Sequence, residues 1–113
     1  MILEKELALY SLQNVAGKGL MPDEKLVKYA DEYYGERTVG YNRQYAAFGA
    51  DQRIDMLVRI WRNDAARIGH YAILEDGNQY RIDNVQHLKD GDGLEVTDLT
   101  LRRLEDNYNV KAE

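Results

Sequence analysis

The chain has 113 residues and 13.1 kDa, about the size of one domain, and it contains no cysteine, which excludes disulfides, thiolate metal sites and cysteine nucleophiles. Its 44% hydrophobic and 31% charged fractions are those of a globular protein, and its apolar runs fall far short of the ~18 residues of a membrane helix. A net charge of −5 disfavours wrapping nucleic acid, and the first residues lack a secretory pattern, so cytoplasmic synthesis is expected.

In chain order, Leu3, Leu7 and Tyr10 fit a short helix, while Glu6 to Gln13 also alternates as a strand, so this stretch stays open. Asn14 to Met21, with Gly17 and Gly19, reads as a loop. The spacing of Leu26, Val27, Ala30, Tyr33 and Tyr34 predicts a helix over 23–34, with Pro22 at its start and Gly35 at its end. Strand-like alternation follows in Val39, Tyr41 and Tyr45, and after a break at 46–52 it resumes in Arg53 to Trp61, where Ile54, Met56, Val58 and Ile60 share one face. The opposite face presents Leu57, Arg59 and Trp61, either as a second buried sheet face or as a patch for a partner.

Further on, Tyr71 to Glu75 and Gln79 to Val85 flank Asp76-Gly77, which predicts a hairpin with a type I′ turn and positive φ at both residues. A second turn, Asp90-Gly91-Asp92-Gly93, leads to a last strand over 95–103 and a polar tail over 105–113. The expectation is one domain over 1–113: a helical and loop region over 1–36, a β meander over 37–104, and the tail. Its class would be α+β, mainly antiparallel, with a small curled sheet or barrel of four to six strands and one helix in the N-terminal half.

No motif selects an active site. His70 and His87 are too few for a zinc centre, and Asp90-Gly91-Asp92-Gly93 lacks the offsets of a calcium loop. Gly17-Lys18-Gly19 fails as a phosphate loop, because its first required glycine is Leu12 and the position after lysine is Gly19. Ser11, the sole serine, has no G-x-S-x-G context. No catalytic residue, metal or cofactor is therefore expected. Charge is uneven: residues 37–67 carry six arginines against three aspartates, and both flanks are net acidic. Such a layout suits copies that meet face to unlike face, with Arg53, Arg59, Arg62 and Arg67 opposite Glu75, Asp83 or Asp98 of the next copy.

Four stretches carry a family resemblance: Glu36 to Gly40, Gln52 to Ile60, Leu74 to Ile82, and Asp98 to Leu104. An arginine-rich strand precedes a hairpin in which Tyr71 and Ile73 are followed by Asp76-Gly77 and then Tyr80 and Ile82, and an L-T-L strand closes the chain. In this order the sequence resembles the small head-closure, or head–tail joining, proteins of tailed phages and prophages. The resemblance implies a structural protein and no enzyme. It would form a homo-oligomeric ring, a dodecamer being one arrangement allowed, beneath the portal or adaptor of the virion. There it would retain packaged DNA and receive the tail, meeting portal, adaptor and tail-completion proteins and touching DNA only in passing, without a membrane. Leu57, Arg59 and Trp61 with the arginines would face a neighbour, and Asp90 and Asp92 would face the channel, repelling phosphate. The alternatives are a small monomeric protein-binding or regulatory module, or a neighbouring tail-completion protein.

Overall fold

The fold rests on six strands that pair with one another antiparallel: β1 (Lys5–Asn14), β2 (Glu24–Arg37), β3 (Met56–Trp61), β4 (Tyr71–Ile73), β5 (Gln79–Lys89) and β6 (Glu95–Arg103). The structure is a computed structural model that describes residues 3–17, 19–37 and 55–112. The expected strand over 39–45, the break after it and Arg53 lie outside the described residues. The strands close into a barrel in the order β1-β2-β3-β6-β5-β4, and β4 returns to β1 through Ala8↔Ile73, Leu9↔Ala72 and Tyr10↔Tyr71.

Inside the barrel, Leu7 and Leu9 of β1 meet Val58 and Ile60 of β3, Ile82 of β5, and Leu99 and Leu101 of β6. Each fully buried aliphatic among them contributes about 1.5–3 kcal/mol through lost apolar surface. One end is capped by the connection over 62–70, which drops Ala66 into the core. That cap is tied down: Asn63 donates its backbone N–H to Thr97 Oγ1 (3.1 Å) and its amide to Glu32 Oε1 (2.9 Å), and Gly69 donates to the Ile82 carbonyl (2.9 Å).

The chain is all-β among its described residues, which corrects the α+β expectation and its helix over 23–34. The cause is a β-bulge. Leu9 pairs with Ala30 but Tyr10 pairs with Lys28, so Tyr29 is an extra residue in β2 and the strand changes face there. Leu26 therefore packs outside with Tyr10 and Tyr71, whereas Ala30 and Tyr34 pack inside. Apolar residues that serve two faces across a bulge imitate the 3.6-residue spacing of a helix. Val27, Tyr29, Tyr33 and Tyr34 fit a pleated surface well, and pairing over the whole length of β1 outweighs a short helix with a costly nucleus. The ambiguous N-terminal stretch is likewise strand, as β1.

The 76–77 turn also differs from its expected type. Of the two residues only Gly77 has positive φ (80°), and among the described residues no non-glycine residue does. Leu74 donates to the Asn78 carbonyl and Gly77 to the Leu74 carbonyl, so residues 75–77 form a three-residue loop ending in a left-handed glycine. The β5–β6 turn repeats this construction, with Gly93 at φ 81° and the bonds Asp90 to Leu94 and Gly93 to Asp90.

The C-terminal segment is a strap over the outside of the barrel. Gln79 donates to the Tyr108 carbonyl and accepts from its N–H, both at 2.8 Å, and Tyr108 stacks edge-on against Tyr71. Further along, Leu26 and Val110 form a parallel bridge, with Leu26 accepting from Lys111 and donating to Asn109. The strap covers the outer cluster of Tyr10, Leu26 and Tyr71.

Candidate functional site

Because strands alternate, each inward residue leaves an outward neighbour, and two large aromatic residues stand exposed on the outer face of β2 and β3. Tyr34 pairs with Ile60 inside, so Tyr33 and Trp61, one step along each strand, lie side by side outside. They are 54% and 44% exposed. On the other flank of Tyr33, Glu6 pairs with Tyr33 and Ala8 with Asp31. These four residues and Ile73 line an open groove of about 500 Å³ with an apolar floor and an acidic rim. Lys28 reaches Asp31 Oδ1 at 3.3 Å, leaving the Asp31 side chain largely in solvent.

The other members of the expected interface are placed differently from one another. Leu57 and Arg59 are both 6% exposed, so of the Leu57, Arg59, Trp61 set only Trp61 offers surface. Arg59 is paired in its own chain: its Nε and Nη2 donate to the two oxygens of Asp98 at 2.7 and 3.0 Å. Register dictates this, since Arg59 stands opposite Asp98 in the β3–β6 ladder. The hydrogen bonds to Asp98, ahead of the opposing effect of burial, raise the Arg59 guanidinium further above its ordinary value. Arg62 donates to Asp64 at 2.9 Å and lies 3.7 Å from Glu95, while Asp83 sits between Arg81 and Arg102 at 3.6 and 3.4 Å. Thus Asp83 and Asp98, expected to await arginines of another copy, have arginines of their own. Arg67 is exposed on the cap beside Tyr29 and His70.

The hairpin residues divide between faces. Tyr71 joins the outer cluster with Ile73 beside it, and Tyr80 and Ile82 lie in the barrel core. Asp76 accepts from the Asn78 N–H at 2.8 Å and from the Tyr80 hydroxyl at 3.0 Å, stiffening the turn. Asp90 Oδ1 accepts from the backbone of Asp92 and Leu94, both at 2.9 Å, and the Leu94 bond is the leading reason its carboxyl stays below the usual range. Asp92 is exposed on the same turn.

The histidines are engaged in local pairs. Tyr29 Oη and His70 Nδ1 are 2.8 Å apart, and burial pushes the phenol up to about 12 and the imidazole down. His87 Nδ1 lies 2.7 Å from Thr97 Oγ1. Among the described residues no group of three or more His, Cys, Asp or Glu is placed to hold a metal ion.

Two apolar residues escaped the sequence reading. Leu20 and Met21, at the tip of the β1–β2 hairpin, are 70% and 87% exposed. Their signal was present: an adjacent pair of large apolar residues in a loop bounded by Gly19 and Pro22, where polar residues are the rule. Tyr33 was missed because the helical reading assigned it to a buried stripe.

Comparison with known proteins addresses the fold. The solution structure of protein SF1141 from Shigella flexneri 2a aligns over 93% of this chain and 96% of its own, at a TM-score of 0.63 and 17% sequence identity. At that identity the likeness is one of architecture. No protein-family model matches the chain, and no curated protein matches it.

Proposed function

We propose that the chain is a structural component of a phage or prophage particle, a head–tail connector that assembles with copies of itself beneath the portal or adaptor, retains packaged DNA and presents a surface to the tail. The observation that carries this reading is the distribution of exposed apolar groups. Tyr33, Trp61, Leu20 and Met21 stand on the outside of a barrel whose core is already complete, and large exposed apolar groups of this kind mark contacts with other proteins. Closure of the sheet removes the free edges through which β proteins associate indiscriminately, so association is left to these side chains and to the projecting hairpins. The order of the arginine-rich strand, the hairpin at 71–82 and the closing strand at 95–103 supports the choice of connector over a monomeric binding module. Acidic turns such as Asp90 to Gly93 suit a surface that DNA passes without being held.

The test uses DNA-filled heads that carry the portal but lack this protein. Added wild-type protein is expected to restore DNA retention and tail joining, and Trp61→Ser is expected to reduce both while keeping the wild-type circular dichroism. Trp61 is the apt substitution because Arg59, buried against Asp98, would confound assembly with folding. Wild type that leaves the heads leaking would overturn the connector reading in favour of a binding module.

A further inference from the structure

The tip of the β1–β2 hairpin and the groove at its base are a protrusion and a recess of matching chemistry on one molecule. The tip is built rather than slack: Asn14 Oδ1 accepts from the N–H groups of Ala16 and Asp23 at 3.0 Å each, Val15 donates to the Asp23 carbonyl, and Leu20 donates to the Gly17 carbonyl. This frame holds Leu20 and Met21 in solvent, a costly position for apolar side chains that nothing in the barrel requires. The groove offers the half-buried Ala8 and Ile73 as an apolar floor, with the exposed Tyr33, Glu6 and Asp31 at its rim. Its volume, about 500 Å³, is ample for two such side chains. Charge agrees as well, since residues 15–22 include one lysine and no acid.

A chain cannot fill its own groove with its own tip. From the groove at Ala8↔Asp31 to the end of the ladder at Asn14↔Glu24 β1 advances six residue steps, about 20 Å at the strand rise of ~3.3 Å per residue. We propose that the Leu20–Met21 tip of one copy seats in the groove formed by Glu6, Ala8, Asp31, Tyr33 and Ile73 on a second copy of this chain. The contact joins unlike surfaces, so it repeats head to tail, the mode of association from which rings are made. It supplies the contact between copies for the connector proposed above, and its closure into a ring rests on that reading.

The absence of cysteine makes a direct test possible. Met21→Cys and Asp31→Cys are prepared as separate full-length proteins, both at exposed positions, and are mixed under mild oxidation. Docking raises the effective concentration of the two thiols, so covalent heterodimer should exceed the homodimer of either variant alone by about tenfold. Heterodimer no more abundant than homodimer, or a dominant Met21→Cys homodimer, would overturn the proposal. The same would follow if Met21→Cys on reconstituted heads cross-linked to a different protein and not to Asp31→Cys. In parallel, wild type should self-associate in sedimentation velocity, and the double variant Leu20→Ser, Met21→Ser should lose that association while keeping its circular dichroism. Retained association would again contradict the contact. The two readings fail separately: heads restored without the heterodimer keep the connector and remove this contact, and the heterodimer without restored heads does the reverse.

Discussion

Arg59 and Asp98 show how one ladder position decides what a side chain can do. A guanidinium and a carboxylate held by two hydrogen bonds, each side chain largely shielded from water, form a pair whose separation leaves a buried charge unmatched. Arg59→Ala and Asp98→Ala should each cost about 2–4 kcal/mol in urea unfolding, and Arg59→Met with Asp98→Leu should recover most of that loss. Additive losses in the double variant would contradict this account. His70 gives a pH dependence with a definite sign. Burial, and secondarily Arg67, lower its value below the ordinary 6.5, so the unfolded chain takes up a proton before the folded one does. This group's contribution is therefore complete above pH 6.5 and declines as pH falls toward the folded-state value. Thermal melts of wild type should fall through that window, and His70→Gln, which cannot be protonated, should show a shallower decline. Equal slopes would show that His70 is not the titrating group.

At the scale of elements, turns and bulges determine both stability and what could be read from the sequence. Gly77 and Gly93 adopt left-handed φ, and a Cβ built at either meets nothing within 4 Å, so a side chain there costs only backbone strain. Gly77→Val should lower stability by about 1–3 kcal/mol and Gly77→Asn by less, measured by chemical denaturation, because asparagine tolerates this region and a β-branched residue does not. A valine variant as stable as wild type would contradict the observed turn. The Met56 to Trp61 part of the alternation was legible because Val58 and Ile60 face one continuous core, and Tyr71 to Val85 because an Asp-Gly step bounds both strands. β2 was not, since Tyr29 breaks its period and Leu26 serves a second cluster. Nor was the strap: its anchors are backbone groups and the Gln79 amide, which leave no hydrophobic period in the sequence of 104–112. The candidate surface was half visible. Trp61 was identified from its face of the strand, but its neighbour Tyr33 depends on pairing between strands distant in sequence.

On the scale of the whole molecule, a closed barrel with a filled interior is a rigid body, and its means of interaction lie outside the core. Of the arginines expected to face another copy, Arg59 and Arg62 are paired within the chain, as are Arg81 and Arg102 elsewhere on it. Under the proposed assembly, the contacts between copies would therefore be apolar ones through Trp61, Tyr33, Leu20 and Met21 rather than salt bridges. Association of that kind is less sensitive to salt than the charge layout of the sequence suggests. The proposed position in a particle is open to electron cryo-microscopy of purified phage or prophage particles. Several copies of the six-stranded barrel should encircle the channel between portal and tail, with the β1–β2 tip of each copy against its neighbour. A resolved portal–tail junction that contains no copy of this barrel would contradict it.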